Sequence, residues 1–120
     1  MQGLVRGFGD VVVTPHHHST SAAIEILGIG GNAVDAAIAA NATQGVVAPE
    51  TCGIGGDLFA LVHRPGTRLP LALNASGPAG SNVDADELLE SEGKMPLFGR
   101  HAVTVPGCVA GWEALRSELG

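Results

Sequence analysis

The chain has 120 residues, enough for one domain, and although 45% are apolar only 3% are aromatic, so a core here is built from Ala, Val, Ile and Leu. Twelve acidic against six basic side chains give a formal charge of −6 with no basic run, which argues against nucleic acid and anionic membranes as partners. No segment approaches the ~18 apolar residues that span a bilayer, and the opening MQGLVRGFGD lacks the apolar stretch of a secretory leader, so the expected location is cytoplasmic.

Val11-Val12-Val13 is β-branched and predicts a short buried strand. Thr14 then caps a helix with Pro15 at its first position. That helix turns Ala23, Ile26 and Leu27 to one face and ends at Gly28 and the Gly30-Gly31 pair. Asn32 caps a second helix by accepting a free N–H of its first turn, and Asp35 adds negative charge where the helix dipole is positive. From Ala33 the run AVDAAIAANA is nearly all small, with Val34, Ile38, Asn41 and Gly45 along one stripe. Pro49 stops the helix. Gly53, Gly55 and Gly56 then form a turn that tolerates positive φ and leaves room for a neighbouring backbone.

An apolar strand from Asp57 to His63 follows, and after the Pro65-Gly66 turn a second strand, Leu69 to Asn74, pairs with it as an antiparallel hairpin because the connection is short. Ser76 to Gly80 reads as a loop, Asp84 to Glu92 as a short acidic helix and Gly93 to Gly99 as another loop. His101 to Val105 reads as a third strand, before a helix that begins near Pro106. Eighteen glycines without a period or an internal repeat indicate turns and close packing. The order β-α-α-β-β predicts an α+β fold in which small-residue helices cover at least one face of a sheet.

Few side chains are arranged for chemistry. In His16-His17-His18 neighbouring helical positions lie about 100° apart, so the three cannot close one metal site, and no HExxH pair exists; a capping and surface role is expected. His63 and His101 read as structural histidines. The turn at Gly53 to Gly56 precedes a strand, whereas phosphate-cradling loops precede a helix, so a packing role is expected. Cys52 has no evident base beside it, and Cys108 sits near a helix start among the apolar Val109 and Ala110. Both are expected to be reduced, packed and non-catalytic.

Several blocks in order, Val11-Val12-Val13-Thr14-Pro15-His16-His17, Ile26-Leu27, Gly30-Gly31-Asn32-Ala33-Val34-Asp35-Ala36-Ala37, Cys52-Gly53-Ile54-Gly55-Gly56 and Val105-Pro106-Gly107-Cys108-Val109-Ala110-Gly111-Trp112, together resemble the γ-glutamyltranspeptidase family. The resemblance implies an N-terminal nucleophile hydrolase: a proenzyme that cuts itself and frees a threonine whose hydroxyl attacks γ-glutamyl amides such as glutathione. It implies a four-layer α-β-β-α sandwich of two stacked sheets with helices outside, of which residues 1–120 are the N-terminal segment and an incomplete part. The expected partners are then the remainder of the proenzyme and γ-glutamyl small molecules, with no metal or organic cofactor. Exposed apolar sheet surface and self-association are expected of the isolated piece.

Two features separate this sequence from that pattern. The threonine heads the small subunit in the family, and none of Thr14, Thr20, Thr43, Thr51, Thr67 or Thr104 stands in a context resembling that cleavage site, so this chain alone is not expected to perform the reaction. The transpeptidases also carry an arginine that clamps the substrate α-carboxylate. Aligned by spacing to Pro78, that position is Asn74, and no arginine lies between Arg68 and Arg100. Relatives with Asn-x-Ser-Gly place an arginine just after the glycine, where this chain has Pro78. Asn74 and Ser76 either hydrogen-bond a polar substrate or form an Asx-type turn. The leading expectation is the opening part of a γ-glutamyltranspeptidase-like enzyme. The alternatives are part of a related amidase or acylase with another acyl group, or an inactive interaction module.

Overall fold

The computed structural model describes residues 9–120, so the opening MQGLVRGF, read above for a leader, lies outside the described residues. The chain divides into two compact units, one running to Gly53 and including Glu113–Gly120, the other Ile54–Trp112. Its elements in order are α1 (His17–Gly28), α2 (Ala33–Val47), β1 (Leu58–Val62), β2 (Leu71–Ala75), α3 (Ala85–Glu92), a 3-10 turn (Arg100–Ala102) and α4 (Cys108–Leu119). The α+β expectation holds. Among the described residues no helix is long and apolar enough to cross a membrane.

In the first unit α1 and α2 meet through alanine. Ala23, Ala36 and Ala40 form the buried cluster, and Val12, Ile26 and Leu27 pack around it. Small side chains let the two backbones approach, and the approach leaves one polar contact to satisfy: the fully buried Ser19 donates its hydroxyl to Gln44 Oε1 at 2.8 Å. Gln44 in turn donates from Nε2 to Thr51 Oγ1 at 3.2 Å, which ties the end of α2 to the segment after it. The buried seam of α2 is therefore Ala36, Ala40 and Gln44, together with Val34. Ile38, Asn41 and Gly45 of the expected stripe are only half-buried.

The turn between the helices follows the sequence closely. Gly30 takes φ 96°, and Gly31 N–H bonds the Ile26 carbonyl at 2.9 Å, closing the end of α1. Asn32 Oδ1 accepts from the N–H groups of Val34 (2.7 Å) and Asp35 (3.1 Å), and Asp35 Oδ2 accepts from Asn32 N–H at 3.2 Å. This is a reciprocal capping box, and it satisfies donors that the first helical turn leaves without partners. Asn32 Nδ2 also donates to the Leu119 carbonyl at 3.3 Å.

The entry to α1 differs from expectation. Val11–Val13 form no strand, because an extended segment becomes one only when a neighbour offers a ladder and none of the described residues does; Val13 is 87% exposed. Thr14 is not the cap. Its hydroxyl donates to the His16 carbonyl at 2.8 Å, and His16 is the cap, with Nδ1 accepting from His18 N–H at 3.2 Å. The three imidazoles pack on one another with centroids 4.0 to 5.2 Å apart, rather than pointing apart as helical spacing predicts, because His16 lies in extended backbone before the helix; His16 alone takes the capping role, and His17 and His18 are exposed.

In the second unit β1 and β2 form the antiparallel hairpin, with Leu58 opposite Ala75, Phe59 opposite Asn74 and Val62 opposite Leu71. Phe59 (68% exposed) and Leu61 (75%) stand on the open face, the apolar sheet surface that was expected. The other face meets the start of α4 through glycine: a Cβ on Gly111 would lie 2.6 Å from Leu58 Cδ2 and 2.8 Å from Ala75 Cβ. Gly53, Gly55 and Gly56 do not adopt positive φ, and a Cβ on either of the first two would meet nothing, but the Gly53 backbone does lie close to that of Gly45 in α2, where a Cβ would come 3.4 Å from Gly53 Cα. Gly56 instead works through its carbonyl, which accepts from Gly107 N–H (3.1 Å) and Cys108 N–H (2.9 Å). His101–Val105 is not a strand. The 3-10 turn occupies its start, and a single bond, Val105 N–H to the Pro78 carbonyl at 2.9 Å, joins its end to the neighbouring loop. α3 forms as read, capped by Asp84 and closed by the left-handed Gly93.

Replacing Asn32 by alanine removes the single oxygen that accepts both capping bonds and should cost about 1–2 kcal/mol in denaturant unfolding, with Asn32→Asp retaining most of that. Gly28→Ala, where space is open, should stabilise by up to about 1 kcal/mol, whereas Gly111→Ala should destabilise by about 1–3 kcal/mol through overpacking. His17 titrates below its ordinary value, chiefly because His18 repels added positive charge, then through desolvation and His16. The unfolded chain therefore binds that proton more tightly, so stability falls as pH drops below about 6.5 and levels once pH is under the lowered His17 pKa. An NMR titration of the His17 ring, set beside unfolding curves across that window, checks both.

Candidate functional site

Asn74 and Ser76 lie where β2 ends. Asn74 is the next-to-last residue of the strand, opposite Phe59, and both polar residues are exposed. Asn74 Oδ1 accepts from Ser76 N–H at 2.9 Å, which is the Asx-type turn anticipated as one reading. The turn uses only the carbonyl of the amide. It leaves Asn74 Nδ2 and Ser76 Oγ without a hydrogen-bond partner among the described residues, so one donor group and one hydroxyl stand at the hairpin's end.

One further residue belongs here that the sequence reading passed over. Asp57, just before β1, places Oδ1 3.3 Å from Gly77 N–H and 3.2 Å from the Thr104 hydroxyl, accepting from both. The ladder explains the position. Alternation puts Asp57 on the same face as Phe59, and continuing the register past Leu58–Ala75 sets Asp57 opposite Ser76. Gly77 is held from another side, since a Cβ there would collide with the Val105 carbonyl. The site is thus a loop, residues 74–78, fixed between the start of β1 and the extended segment after the 3-10 turn. It offers an amide, a hydroxyl and a carboxylate, with no guanidinium from residues 69–99. Such groups can hydrogen-bond a polar ligand. It has no nucleophile paired with a base.

The other candidates do not assemble. His63 is exposed, and His101 Nε2 accepts from Arg100 Nε at 2.9 Å. No group of three His, Cys, Asp or Glu among the described residues is arranged to hold a metal. Cys52 is half-buried, with Sγ 4.0 Å from both the carbonyl oxygen and Nδ2 of Asn41, and Cys108 is buried. Cys52 lines a cavity of about 560 Å³ in the first unit, whose walls include Val11–Val13 and the alanines of α2, with Asp10, Thr14, Asn41, Gln44 and Thr51 as polar points.

Comparison with known proteins agrees with the resemblance read from the sequence. A family model described as Gamma-glutamyltranspeptidase matches residues 19–120. The glutathione hydrolase-like YwrD proenzyme of Bacillus subtilis (strain 168) is 40% identical over 121 residues, which is 100% of this chain and 23% of that protein. The oxamate amidohydrolase proenzyme of Klebsiella pneumoniae is 43% identical over 108 residues, 88% of this chain and 20% of that protein. The crystal structure of Helicobacter pylori gamma-glutamyltranspeptidase superposes with a TM-score of 0.85 at 30% identity, covering 98% of this chain and 35% of that one. The chain spans about a fifth of the length of these curated relatives. Since the family model takes in all the elements from the first turns of α1 to the end of α4, the chain belongs to the gamma-glutamyltranspeptidase family.

Proposed function

We propose that these residues are the opening part of a self-processing enzyme that hydrolyses or transfers γ-glutamyl amides such as glutathione. The nucleophile is a threonine outside this chain, freed by self-cleavage and using its own α-amine as base. Its hydroxyl adds to the amide carbonyl, the amine leaves, and water or an acceptor amine then takes the acyl group from the threonine. That chemistry calls for no metal or organic cofactor. The role of residues 1–120 is scaffold and part of the acyl pocket. The helices and hairpin are one portion of a four-layer α-β-β-α sandwich completed by the remainder of the proenzyme, in the cytoplasm. The observation that carries this reading is the family match over residues 19–120, together with relatives named as proenzymes.

A second reading is favoured by one position. Asn74 stands where the family resemblance calls for an arginine, and Pro78 fills the other place an arginine is expected. A neutral amide in place of the arginine suits an acyl group other than γ-glutamyl, and one relative is named an oxamate amidohydrolase proenzyme. On this reading the enzyme is an amidase or acylase of the same chemistry with a different acyl substrate.

Intact mass spectrometry of the full-length gene product tests what the two readings share. Two fragments are expected, the smaller beginning with threonine, and a single uncut chain would contradict both. Turnover of γ-glutamyl anilide against short amides such as oxamate then separates them. Asn74→Arg decides the role of the loop: a guanidinium there should raise kcat/KM for γ-glutamyl amides by about tenfold or more, and no gain would remove Asn74 from the acyl pocket. Imaging of a tagged full-length product tests the location.

A further inference from the structure

We propose that Asp57 is a positioning residue for the acyl-binding loop, holding Asn74 and Ser76 in place through Gly77 and Thr104. The inference rests on the loop's role in the function proposed above. It is carried by one carboxylate oxygen that accepts from two donors far apart in the chain: Gly77 N–H, 20 residues away, and the Thr104 hydroxyl, 47 residues away. Three segments therefore converge on Asp57 Oδ1. The start of β1 supplies the acceptor, the loop after β2 supplies a backbone donor, and the extended segment before α4 supplies a hydroxyl.

The loop has little else to fix it on that side. Asn74 and Ser76 are tied to each other by their own Asx turn, which sets local shape but not the position of the loop as a whole. Position comes from the Val105 N–H to Pro78 carbonyl bond at 2.9 Å and from Asp57. Gly77 sits between these two ties, one residue beyond Ser76, where the Val105 carbonyl leaves no room for a Cβ. Asp57 lies opposite Ser76 in the continued register, on the face that carries Phe59 and Asn74. Releasing Gly77 N–H lets the Ser76 hydroxyl and Asn74 amide drift away from a bound acyl group, and neither touches the threonine chemistry. The consequence is selective: substrate binding weakens while the chemical step is preserved.

The experiment uses the full-length, self-processed protein and its best amide substrate. Asp57→Ala should raise KM by about tenfold with kcat within about threefold of the parent. Asp57→Asn, which keeps a carbonyl acceptor, should restore KM to within about threefold. Thr104→Val should raise KM and Thr104→Ser should not. Hydrogen exchange followed by mass spectrometry should show peptides covering residues 74–80 exchanging about tenfold faster in Asp57→Ala. An unchanged KM in both Asp57→Ala and Thr104→Val, or unchanged exchange in residues 74–80, overturns the proposal, as does an equal loss in Asp57→Asn. If Asp57→Ala does not accumulate folded, the Thr104 pair decides by the same KM and exchange readings. If the parent protein turns over no amide, the proposed function falls by itself, and the exchange rates still decide whether Asp57 holds the loop.

Discussion

Close backbone approach, made possible where glycine omits a side chain, is the constraint on which the second unit depends. A Cβ at Gly77 would meet the Val105 carbonyl, one at Gly107 the Ala75 carbonyl, and one at Gly111 the side chains of Leu58 and Ala75. With three phenylalanines, one tryptophan and no tyrosine in the chain, there is little bulk to span gaps between elements, so elements meet backbone to backbone. The polar groups this approach buries are paired in turn. The Gly56 carbonyl takes the N–H groups of Gly107 and Cys108, and the Pro78 carbonyl takes that of Val105. The loop bearing Asn74 and Ser76 is set by that framework.

The first unit uses alanine for the same purpose, at lower contrast. Ala23, Ala36 and Ala40 bring α1 and α2 together, and the Ser19–Gln44 bond fixes their register where larger side chains, Val12, Ile26 and Leu27, lie only around the margin. Few interlocking side chains specify this pairing, so a buried hydrogen bond carries more of the specificity than it would in a leucine-rich core.

What was legible in the sequence was what local interactions decide. Asn32 with Asp35, Gly30 after α1, Asp84 before α3 and the short Pro65-Gly66 connection each act within a few residues, and each element they bound is present. Val11–Val13 and His101–Val105 have the composition of strands, but a strand needs a partner, and composition carries no information about one. The cap of α1 moved from Thr14 to His16 because an imidazole Nδ1 serves as acceptor closer to the first helical N–H than a hydroxyl two residues earlier. In α2 the larger residues Val34 and Ile38 drew attention to one stripe, of which only Val34 is buried, and close packing otherwise selected Ala36, Ala40 and Gln44. The candidate site divides the same way. Asn74 and Ser76 were singled out through resemblance, and of the two readings offered for them the Asx turn is the one that forms. Asp57 and Thr104 were missed because their contacts cross 20 and 47 residues. One signal was available: two residues before Phe59 in an alternating strand, Asp57 is on the face of Asn74.

Membership in the family and choice of acyl group are separate questions. Glycine turns, caps and small-residue helices carry the first, while the proposal made above for the second rests on residues 74–78, which offer an amide and a hydroxyl. The most direct measurement is a crystal structure of the full-length, processed protein holding the carboxylic acid product of its preferred amide. Asn74 Nδ2 and Ser76 Oγ are expected within about 3.2 Å of the product's polar atoms, with the Asx turn intact. A product seated with neither residue in reach would contradict the assignment of this loop to the acyl pocket.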